Sequence, residues 1–294
     1  MKDTAIEIIN LHKSFGQVQA VKGLNLEVHR GEIFGFLGPN GAGKTTTIRT
    51  MLNFIIPDQG KIKILGQNPA FNSQILMREI GYIAGEIALW DNYKVGSFLN
   101  ALEDIRGESG AIRNSLIERF QLDEHKKIKS LSKGNKQKVA IIQAFMHEPK
   151  VLILDEPSSG LDPILQNEFY HLLAEVKHRG GTVFFSSHVL SEVQKVCDRV
   201  AVIKDGELVS IETISELRNK NIFRIELTYS GKGPTENDFG KDNIENFETS
   251  ANNLIRFTYK GEINSLLAIL NQFDLANLTI SEPSIEDIFL AYYN

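Results

Sequence analysis

The sequence predicts an α/β protein with a mostly parallel sheet, and three observations support this prediction. Short apolar runs recur along the chain, as buried parallel strands require; they are Val151–Leu154, Thr182–Phe185 and Val200–Ile203. Segments with apolar residues at helical spacing separate such runs, so strands and helices alternate in two blocks. A glycine-rich loop at 38–43 follows the mostly apolar run Glu32–Leu37 and precedes a helix-compatible segment.

The first block contains further strand-like segments on both sides of this loop. Ile6–Ile9 and Leu24–Val28 are β-compatible runs, and in the second run apolar and polar residues alternate as in a half-buried strand. We expect a helix from Lys44 to about Phe54. The turn Pro57–Gly60 then leads into a strand at Lys61–Leu65.

A helical block separates the two α/β blocks. Apolar residues at i, i+3, i+4 and i+7 predict one helix from Val95 and a second across Ile112–Phe120. A third helix is predicted to begin near Asn135. We place this helical insert at about residues 88–147.

The composition changes near Leu217, and we place a domain boundary there. The 294 residues allow a main domain, 1–217, and a small α+β appendage, 218–294, at about 150 residues per domain. The predicted elements of the appendage are two strands and a closing helical stripe: Ile222–Thr228, Leu254–Tyr259, and Ile285, Ile288, Phe289 and Tyr292.

The composition favours a folded protein in contact with water. Hydrophobic residues make up 42% and charged residues 23% of the chain, and its apolar runs are too short to cross a bilayer. The segment Met1–Thr4 has no apolar core of a secretory signal, and the single Cys197 fits a reducing compartment. The net charge of −5 disfavours nucleic-acid binding by general electrostatics, so we expect no nucleic-acid partner.

The glycine-rich loop has the spacing G-x-x-x-x-G-K-T of a phosphate-binding loop. Its glycines let backbone N–H groups face phosphates, and the helix that follows adds the positive end of its dipole. We expect Lys44 to reach the β- and γ-phosphates and the Thr45 hydroxyl to ligate Mg²⁺. The candidate nucleotide-binding residues here are Gly38, Pro39, Asn40, Gly41, Ala42, Gly43, Lys44, Thr45 and Thr46. The position between a strand and a helix favours this interpretation over a chance glycine-rich turn.

Two carboxylates, Asp155 and Glu156, follow the predicted strand Val151–Leu154. In parallel sheets the carboxyl ends of the strands face the ligand crevice. We expect Asp155 to hold Mg²⁺ through water and Glu156 to polarise an attacking water. The alternative is a solvated turn, since Asp, Glu and Pro often follow strands. The phosphate loop earlier in the chain favours the functional interpretation.

The segment Leu131–Gln137, Leu-Ser-Lys-Gly-Asn-Lys-Gln, resembles the signature motif of the ATPases of ABC transporters, which is usually Leu-Ser-Gly-Gly-Gln. Other motifs follow in the order of that family. Asp162 lies in a segment similar to the D-loop, and His188 resembles the switch histidine. Phe15 resembles the aromatic residue that stacks on adenine. The resemblance covers about residues 5–217.

Two motifs depart from the family pattern. In the signature, Lys133 and Asn135 replace the usual Gly and Gln, whereas the residues that the family uses on the γ-phosphate, Ser132 and Gly134, are present. In the Q-loop, glutamine is missing. The candidate Q-loop residues are Gly85, which falls at the glutamine position, and Glu86, which follows it and is the candidate substitute as sensor of Mg²⁺ or water.

The resemblance implies a P-loop NTPase fold with an N-terminal antiparallel β subdomain, a helical insert and a C-terminal appendage. It also implies ATP and Mg²⁺ as cofactors, with Glu156 and His188 as catalytic residues. Two chains, identical or related, would close head to tail on two ATP molecules, with each signature acting on the γ-phosphate of the other chain. The partner would be an integral-membrane permease at the cytoplasmic face of the cell membrane.

The segment Glu282–Phe289 resembles the type-2 exporter branch, which includes drug, antibiotic and ion efflux ATPases. We therefore predict the motor subunit of an exporter. The permease is expected to dock near the Q-loop and the helical insert, around Trp90; the alternative is that Trp90 only packs the insert onto the sheet.

A soluble ABC ATPase of the translation or repair kind is the other functional class, but those members usually carry two phosphate loops or a long coiled coil. A P-loop GTPase would need Asn-Lys-x-Asp, which Asn135–Lys138 and Asn219–Ile222 do not match.

Overall fold

The computed structural model describes residues 3–107, 110–218, 222–250 and 252–281. They belong to two compact units, 1–211 and 212–294. The predicted boundary after Leu217 lies six residues beyond this division. The helical stripe predicted at 285–292 and the exporter-like segment Glu282–Phe289 lie outside the described residues.

The first unit alternates strands and helices. Its elements are β1 (Thr4–Phe15), β2 (Val18–His29), β3 (Ile33–Leu37), α1 (Lys44–Met51), β4 (Gln59–Ile64), α2 (Pro69–Glu79), β5 (Ile80–Ile83), α3 (Val95–Arg106), α4 (Arg113–Arg119), a 3₁₀ turn (Ile128–Ser130), α5 (Lys133–Phe145), β6 (Val151–Asp155), α6 (Pro163–His178), β7 (Thr182–Ser187), α7 (Leu190–Val196), β8 (Arg199–Lys204) and β9 (Glu207–Thr213), whose last residues cross the division.

Two sheets form the first unit within the described ranges. Strands β1, β2 and β4 make an antiparallel sheet in the order β2-β1-β4. The larger sheet has the order β5-β6-β7-β3-β8-β9, and its neighbours from β5 to β8 are parallel. Every residue of β3, β6 and β7 is buried, which explains their nearly continuous apolar sequences. The predicted mostly parallel sheet and N-terminal antiparallel sheet are confirmed.

Some element limits differ from the sequence prediction. β1 extends to Phe15, well beyond Ile9, because register shifts let its pairing with β2 continue past the polar Asn10. α1 ends at Met51, and Asn53 adopts a left-handed backbone with φ +60°. α5 begins two residues before Asn135, since the Ser132 hydroxyl already accepts a hydrogen bond from a backbone N–H of the first turn.

The second unit is a small α+β structure. Its elements are α8 (Ile214–Arg218), β10 (Ile222–Tyr229), α9 (Glu236–Phe239), a 3₁₀ turn (Lys241–Asn243), β11 (Ile244–Ser250), β12 (Leu254–Lys260), α10 (Ile263–Leu270) and β13 (Leu275–Ser281). The described strands form an antiparallel sheet in the order β11-β12-β10-β13. Leu266 and Leu270 of α10 join the sheet residues Ile225 and Phe257 in a separate apolar core.

Among the helices in the described ranges, none is long and apolar enough to cross a membrane.

Candidate functional site

The order of the central strands brings the predicted motifs to one edge of the larger sheet. β6, β7 and β3 are neighbours and run parallel, so their carboxyl ends lie side by side. Asp155 of β6 pairs with Ser186 of β7, and Ser187 pairs with Leu37 of β3. The phosphate loop, the acidic pair and the His188 loop therefore begin next to one another, as expected for a ligand crevice.

The phosphate loop fits tightly against its surroundings. A Cβ atom on Gly38 would lie 2.4 Å from the Ile203 carbonyl oxygen, and one on Gly43 would lie 2.4 Å from the Ala20 carbonyl oxygen. Gly43 also has φ +100°, which side chains rarely tolerate. Helix α1 begins directly after Gly43. The loop can therefore turn its backbone N–H groups towards an anion at the start of α1.

Lys44 places a positive charge within this loop. Its side chain is 5% exposed, and its Nζ donates hydrogen bonds to the carbonyl oxygens of Gly38 (2.8 Å) and Pro39 (3.1 Å). The same nitrogen lies 3.4 Å from Glu156 Oε1. Because a buried ammonium group is costly without such partners, these contacts hold the charge close to the loop backbone.

Asp155 is the most buried charged group of the site, with 1% of its surface exposed. Its Oδ2 accepts a hydrogen bond from the Thr45 hydroxyl (2.8 Å), and its Oδ1 accepts one from the Ser186 hydroxyl (2.7 Å). Burial and, secondly, the charge of Asp155 raise the pKa of Tyr82 above its usual value. A buried carboxylate beside a hydroxyl oxygen of α1 is an arrangement that suits a divalent cation, because hard cations prefer oxygen ligands.

Glu156 lies between two other predicted site residues. Its Oε1 is 3.4 Å from Lys44 Nζ and 3.1 Å from His188 Nδ1. Its backbone has φ +48°, an uncommon conformation for a residue with a side chain. Such strain is concentrated at functional sites, where the surrounding structure enforces it. The sheet thus brings Lys44, Glu156 and His188 together from separate parts of the sequence.

The loop that carries His188 is fixed by hydrogen bonds. The Ser187 hydroxyl donates to Glu192 Oε2 of α7 (2.7 Å) and accepts from the Val189 N–H (2.9 Å). The Ser187 carbonyl accepts a hydrogen bond from the Gly38 N–H (3.3 Å). These contacts join the His188 loop to both α7 and the phosphate loop.

Ser186 is a site residue for which the sequence analysis predicted no role of its own. It is fully buried, and its hydroxyl donates to Asp155 and accepts a hydrogen bond from the Glu156 N–H (3.1 Å). The signal in the sequence is a pair of serines at the end of the apolar run 182–185. The Ser186 hydroxyl therefore links both candidate acidic residues, Asp155 and Glu156, to the neighbouring strand β7.

Phe15 ends β1, and its side chain is half exposed. The preceding Ser14 pairs with Gln19 of β2, and the next residue, Ala20, approaches Gly43 of the phosphate loop. The hairpin that carries Phe15 therefore lies against the phosphate loop, as stacking on the base of a bound nucleotide requires.

The signature segment begins helix α5. The Ser132 hydroxyl accepts a hydrogen bond from the Asn135 N–H at 3.3 Å. A Cβ atom on Gly134 would lie 3.4 Å from the Gly160 carbonyl oxygen, and the Lys133 side chain also approaches Gly160. Gln137 donates to the Pro157 carbonyl oxygen. The start of α5 thus packs on the loop that follows β6.

Asp162 caps helix α6. Its Oδ1 accepts hydrogen bonds from the N–H groups of Ile164 (3.0 Å) and Leu165 (2.9 Å). This contact is a helix cap, and the D-loop role of Asp162 stays a prediction. Because a cap also fixes how the chain enters the helix, it sets the path of the segment between Glu156 and α6.

The Q-loop region passes close to Asp155. A Cβ atom on Gly85 would lie 3.3 Å from Asp155 Oδ2, so the backbone itself approaches the carboxylate. Glu86 is exposed. Trp90 is 44% exposed, and its ring centroid lies 5.2 Å from that of Tyr93 and 5.5 Å from that of Phe98 on α3. Trp90 therefore packs on the helical insert with part of its ring at the surface.

Sequence comparison supports these observations. The family model described as "ABC transporter" matches residues 21–159. The chain is 36% identical over 299 residues to the bacitracin transport ATP-binding protein BcrA of Bacillus licheniformis, with 98% of this chain and 96% of that protein covered. The protein of the same name from Enterococcus faecalis is 34% identical over 292 residues, which cover 97% of this chain and 94% of the relative.

Structure comparison gives a consistent result. A solved structure described as the ATP-binding subunit of an ABC transporter matches with a TM-score of 0.69 and 29% identity. This match covers 74% of the present chain and 92% of the other chain.

Proposed function

The chain belongs to the ATP-binding subunits of ABC transporters, and we propose that it is the ATP-hydrolysing motor of an exporter that works through a separate membrane permease. ATP binding and hydrolysis are the activities of this family. The observation that carries the proposal is the position of Glu156 between Lys44 and His188, directly beside the phosphate loop. A carboxylate, an ammonium group and an imidazole ring therefore meet at one point of the crevice.

We propose the following roles for the residues of one chain. Lys44 binds the β- and γ-phosphates. Its hydrogen bonds to phosphate oxygens then replace those to the carbonyl oxygens of Gly38 and Pro39. Glu156 orients the attacking water and accepts its proton, and His188 holds Glu156 and the γ-phosphate in line. Such positioning and electrostatic stabilisation supply most of the catalysis in phosphoryl transfer. Phe15 stacks on the adenine base.

The proposed Mg²⁺ site consists of the Thr45 hydroxyl and the Asp155 carboxylate, whose oxygens lie 2.8 Å apart. The burial of Asp155 supports this assignment, since a buried negative charge is stabilised by a facing cation. When bound, Mg²⁺ neutralises negative charge on the β- and γ-phosphates. Ser186 keeps the carboxylate in place from the opposite side.

The proposed partner in catalysis is a second ATPase chain, identical or related. The start of α5 offers backbone N–H groups and a partial positive charge, which suit a phosphate. The first turn of α5 packs on the loop after β6. From the family pattern of the signature, we propose that Ser132 and Gly134 act on the γ-phosphate held by the other chain. Lys133 and Asn135 flank them, and Asp162 fixes the adjoining segment.

The transport function rests on the relatives. Two proteins similar over almost the whole chain are described as bacitracin transport ATP-binding proteins. They favour a transporter subunit over a soluble ABC ATPase, and they support drug or antibiotic transport as the class. We propose that the subunit is peripheral at the cytoplasmic face of the cell membrane and that the permease docks at the exposed side of Trp90.

Replacing Glu156 by Gln tests the proposed mechanism. We expect hydrolysis to fall by about 10²–10⁴-fold, as for loss of a general base, with ATP binding retained. Unhydrolysed ATP should then hold two chains together, so gel filtration with ATP and Mg²⁺ should show a dimer. Glu148→Gln, which removes a surface carboxylate paired with Arg179, is the matched control. A monomeric Glu156→Gln protein that still hydrolyses ATP would refute the assignment.

A further inference from the structure

A charged pair beside Phe15 has no role in the function proposed above. Lys13 Nζ lies 5.4 Å from the centroid of the Phe15 ring. Lys13 and Phe15 are two residues apart on β1, so they share a face of the strand. At this distance an ammonium group is attracted to the face of an aromatic ring. One side of the Phe15 ring is therefore associated with a cation.

Asp58 holds this cation in position. Its carboxylate accepts hydrogen bonds from Lys13 Nζ (2.9 Å) and from the Ser14 N–H (2.6 Å). Its own N–H donates to the His12 carbonyl oxygen (2.9 Å). These contacts tie the turn at 57–60 to the three residues that precede Phe15. The hydrogen bonds from Lys13 and Ser14 hold the pKa of the Asp58 carboxyl below its usual value.

Lys13 is also more buried than a typical surface lysine. Its side chain is only 15% exposed, although Phe15 beside it is half exposed. A long side chain that is already ordered by an ion pair loses little further entropy when a ligand binds. Asp58 therefore holds the ammonium group of Lys13 beside the Phe15 ring before a ligand binds.

We propose that Lys13, held by Asp58, is a positioning residue for the nucleotide base. The ammonium group occupies one face of the Phe15 ring and leaves the opposite face for a purine. It also draws π-electron density towards itself, which makes the opposite face a better partner for an electron-rich base. This inference rests on the proposed stacking of adenine on Phe15. It assigns Lys13 and Asp58 to base recognition and gives them no part in phosphate chemistry.

The experiment compares ATP with inorganic tripolyphosphate, which carries the phosphates without a base. Binding of both is measured on the full chain of the parent protein and of Lys13→Met. We expect Lys13→Met to weaken ATP binding by about 3- to 10-fold, in the range of a partly desolvated cation–π contact. Tripolyphosphate affinity and kcat at saturating ATP should stay the same. Equal weakening for the two ligands would overturn the proposal, because Lys13 would then act as a charge on the phosphates.

Three further variants identify the cause. Lys63→Met is the matched control, because Lys63 forms an ion pair with Glu7 in the same antiparallel sheet. It should leave ATP affinity unchanged. Lys13→Arg keeps a cation and should retain ATP affinity. Unchanged tripolyphosphate binding by Lys13→Met shows that this variant is folded. Asp58→Asn should also weaken ATP binding, because it removes the carboxylate that holds Lys13 in position.

Phe15→Ala separates this inference from the function on which it rests. If Phe15→Ala leaves ATP affinity unchanged, base stacking on Phe15 is wrong. If Phe15→Ala weakens ATP binding and Lys13→Met does not, only the inference about Lys13 is wrong. In the Phe15→Ala background, adding Lys13→Met should cause no further loss of ATP affinity, because the ring through which Lys13 acts is absent. A full additional loss would overturn the proposal.

Discussion

Ser186 shows how one hydroxyl group can organise two carboxylates. It lies 31 residues after Asp155 in the sequence and directly beside it in the sheet. Its hydroxyl donates to Asp155, and its oxygen accepts from the Glu156 N–H, so it fixes both the side chain of one residue and the backbone of the next. The left-handed backbone of Glu156 is stabilised by such contacts.

Ser186→Ala should therefore impair catalysis more than ATP binding. A hydrogen bond to a charged group is worth about 1.5–3 kcal/mol, so we expect kcat to fall by roughly 10- to 100-fold with a smaller change in KM. Steady-state ATPase kinetics measure both quantities. Thr182→Val on the same strand is the control: it removes a buried hydroxyl that accepts a hydrogen bond from the Gly31 N–H, and it should lower stability without lowering kcat. An unaltered kcat in Ser186→Ala would show that Ser186 has no positioning role.

Motifs predicted the residues that bear charge at the site, but they did not predict the residues that hold them. The spacing of Lys44 and Thr45 and the strand before Asp155 and Glu156 are local features, so these residues could be predicted from the sequence alone. The contacts of Ser186 depend on which strands are neighbours, and those of Asp58 depend on a turn folding back on β1. Neither pairing leaves a local pattern.

Among the elements, the buried strands were the easiest to predict and α2 was not predicted. Buried strands of a parallel sheet are short, continuous apolar runs, which few other structures produce. Helix α2 exposes Phe71 and Ile75 and has a non-helical backbone at Asn72, so its apolar residues do not form one clean helical face. Helix α6 did carry a signal, an Asp162 cap followed by Pro163 at the first helical position.

The helical insert presents an aromatic group that we propose as the permease contact. Trp90 and Tyr93 are each nearly half exposed, whereas Phe98, which the Trp90 ring contacts, is buried. An exposed tryptophan that is anchored on one side is typical of interface hot spots. The anchoring by Phe98 would keep the ring oriented without a partner.

We predict that Trp90→Ala weakens co-purification with the permease and leaves the melting temperature and ATP binding of the isolated subunit nearly unchanged. A pull-down beside a thermal melt measures both effects. Phe71→Ala, which removes a more exposed aromatic ring on α2, is the control and should leave permease binding intact. A large drop in melting temperature for Trp90→Ala would favour the packing role, and normal permease binding would exclude Trp90 from the interface.

For the whole molecule, the family chemistry needs two sets of groups at one phosphate. Lys44, Asp155 and Glu156 meet at the carboxyl edge of the sheet. Ser132 and Gly134 lie at the start of α5, in contact with Asn135 and Gly160. We propose that one chain supplies half of each ATP site and that two chains complete two sites.

Mixing two inactive variants tests this claim most directly. Ser132→Arg is expected to block hydrolysis but to bind ATP as a monomer, and Lys44→Ala is expected to lack phosphate binding. Each variant alone should be inactive. In a mixed dimer, the intact phosphate loop of the Ser132→Arg chain faces the intact signature of the Lys44→Ala chain, so the mixture should recover ATPase activity. Loss of ATP binding by a folded Ser132→Arg protein, or full hydrolysis by that protein alone, would contradict the account, because the signature would then act within its own chain or not at all.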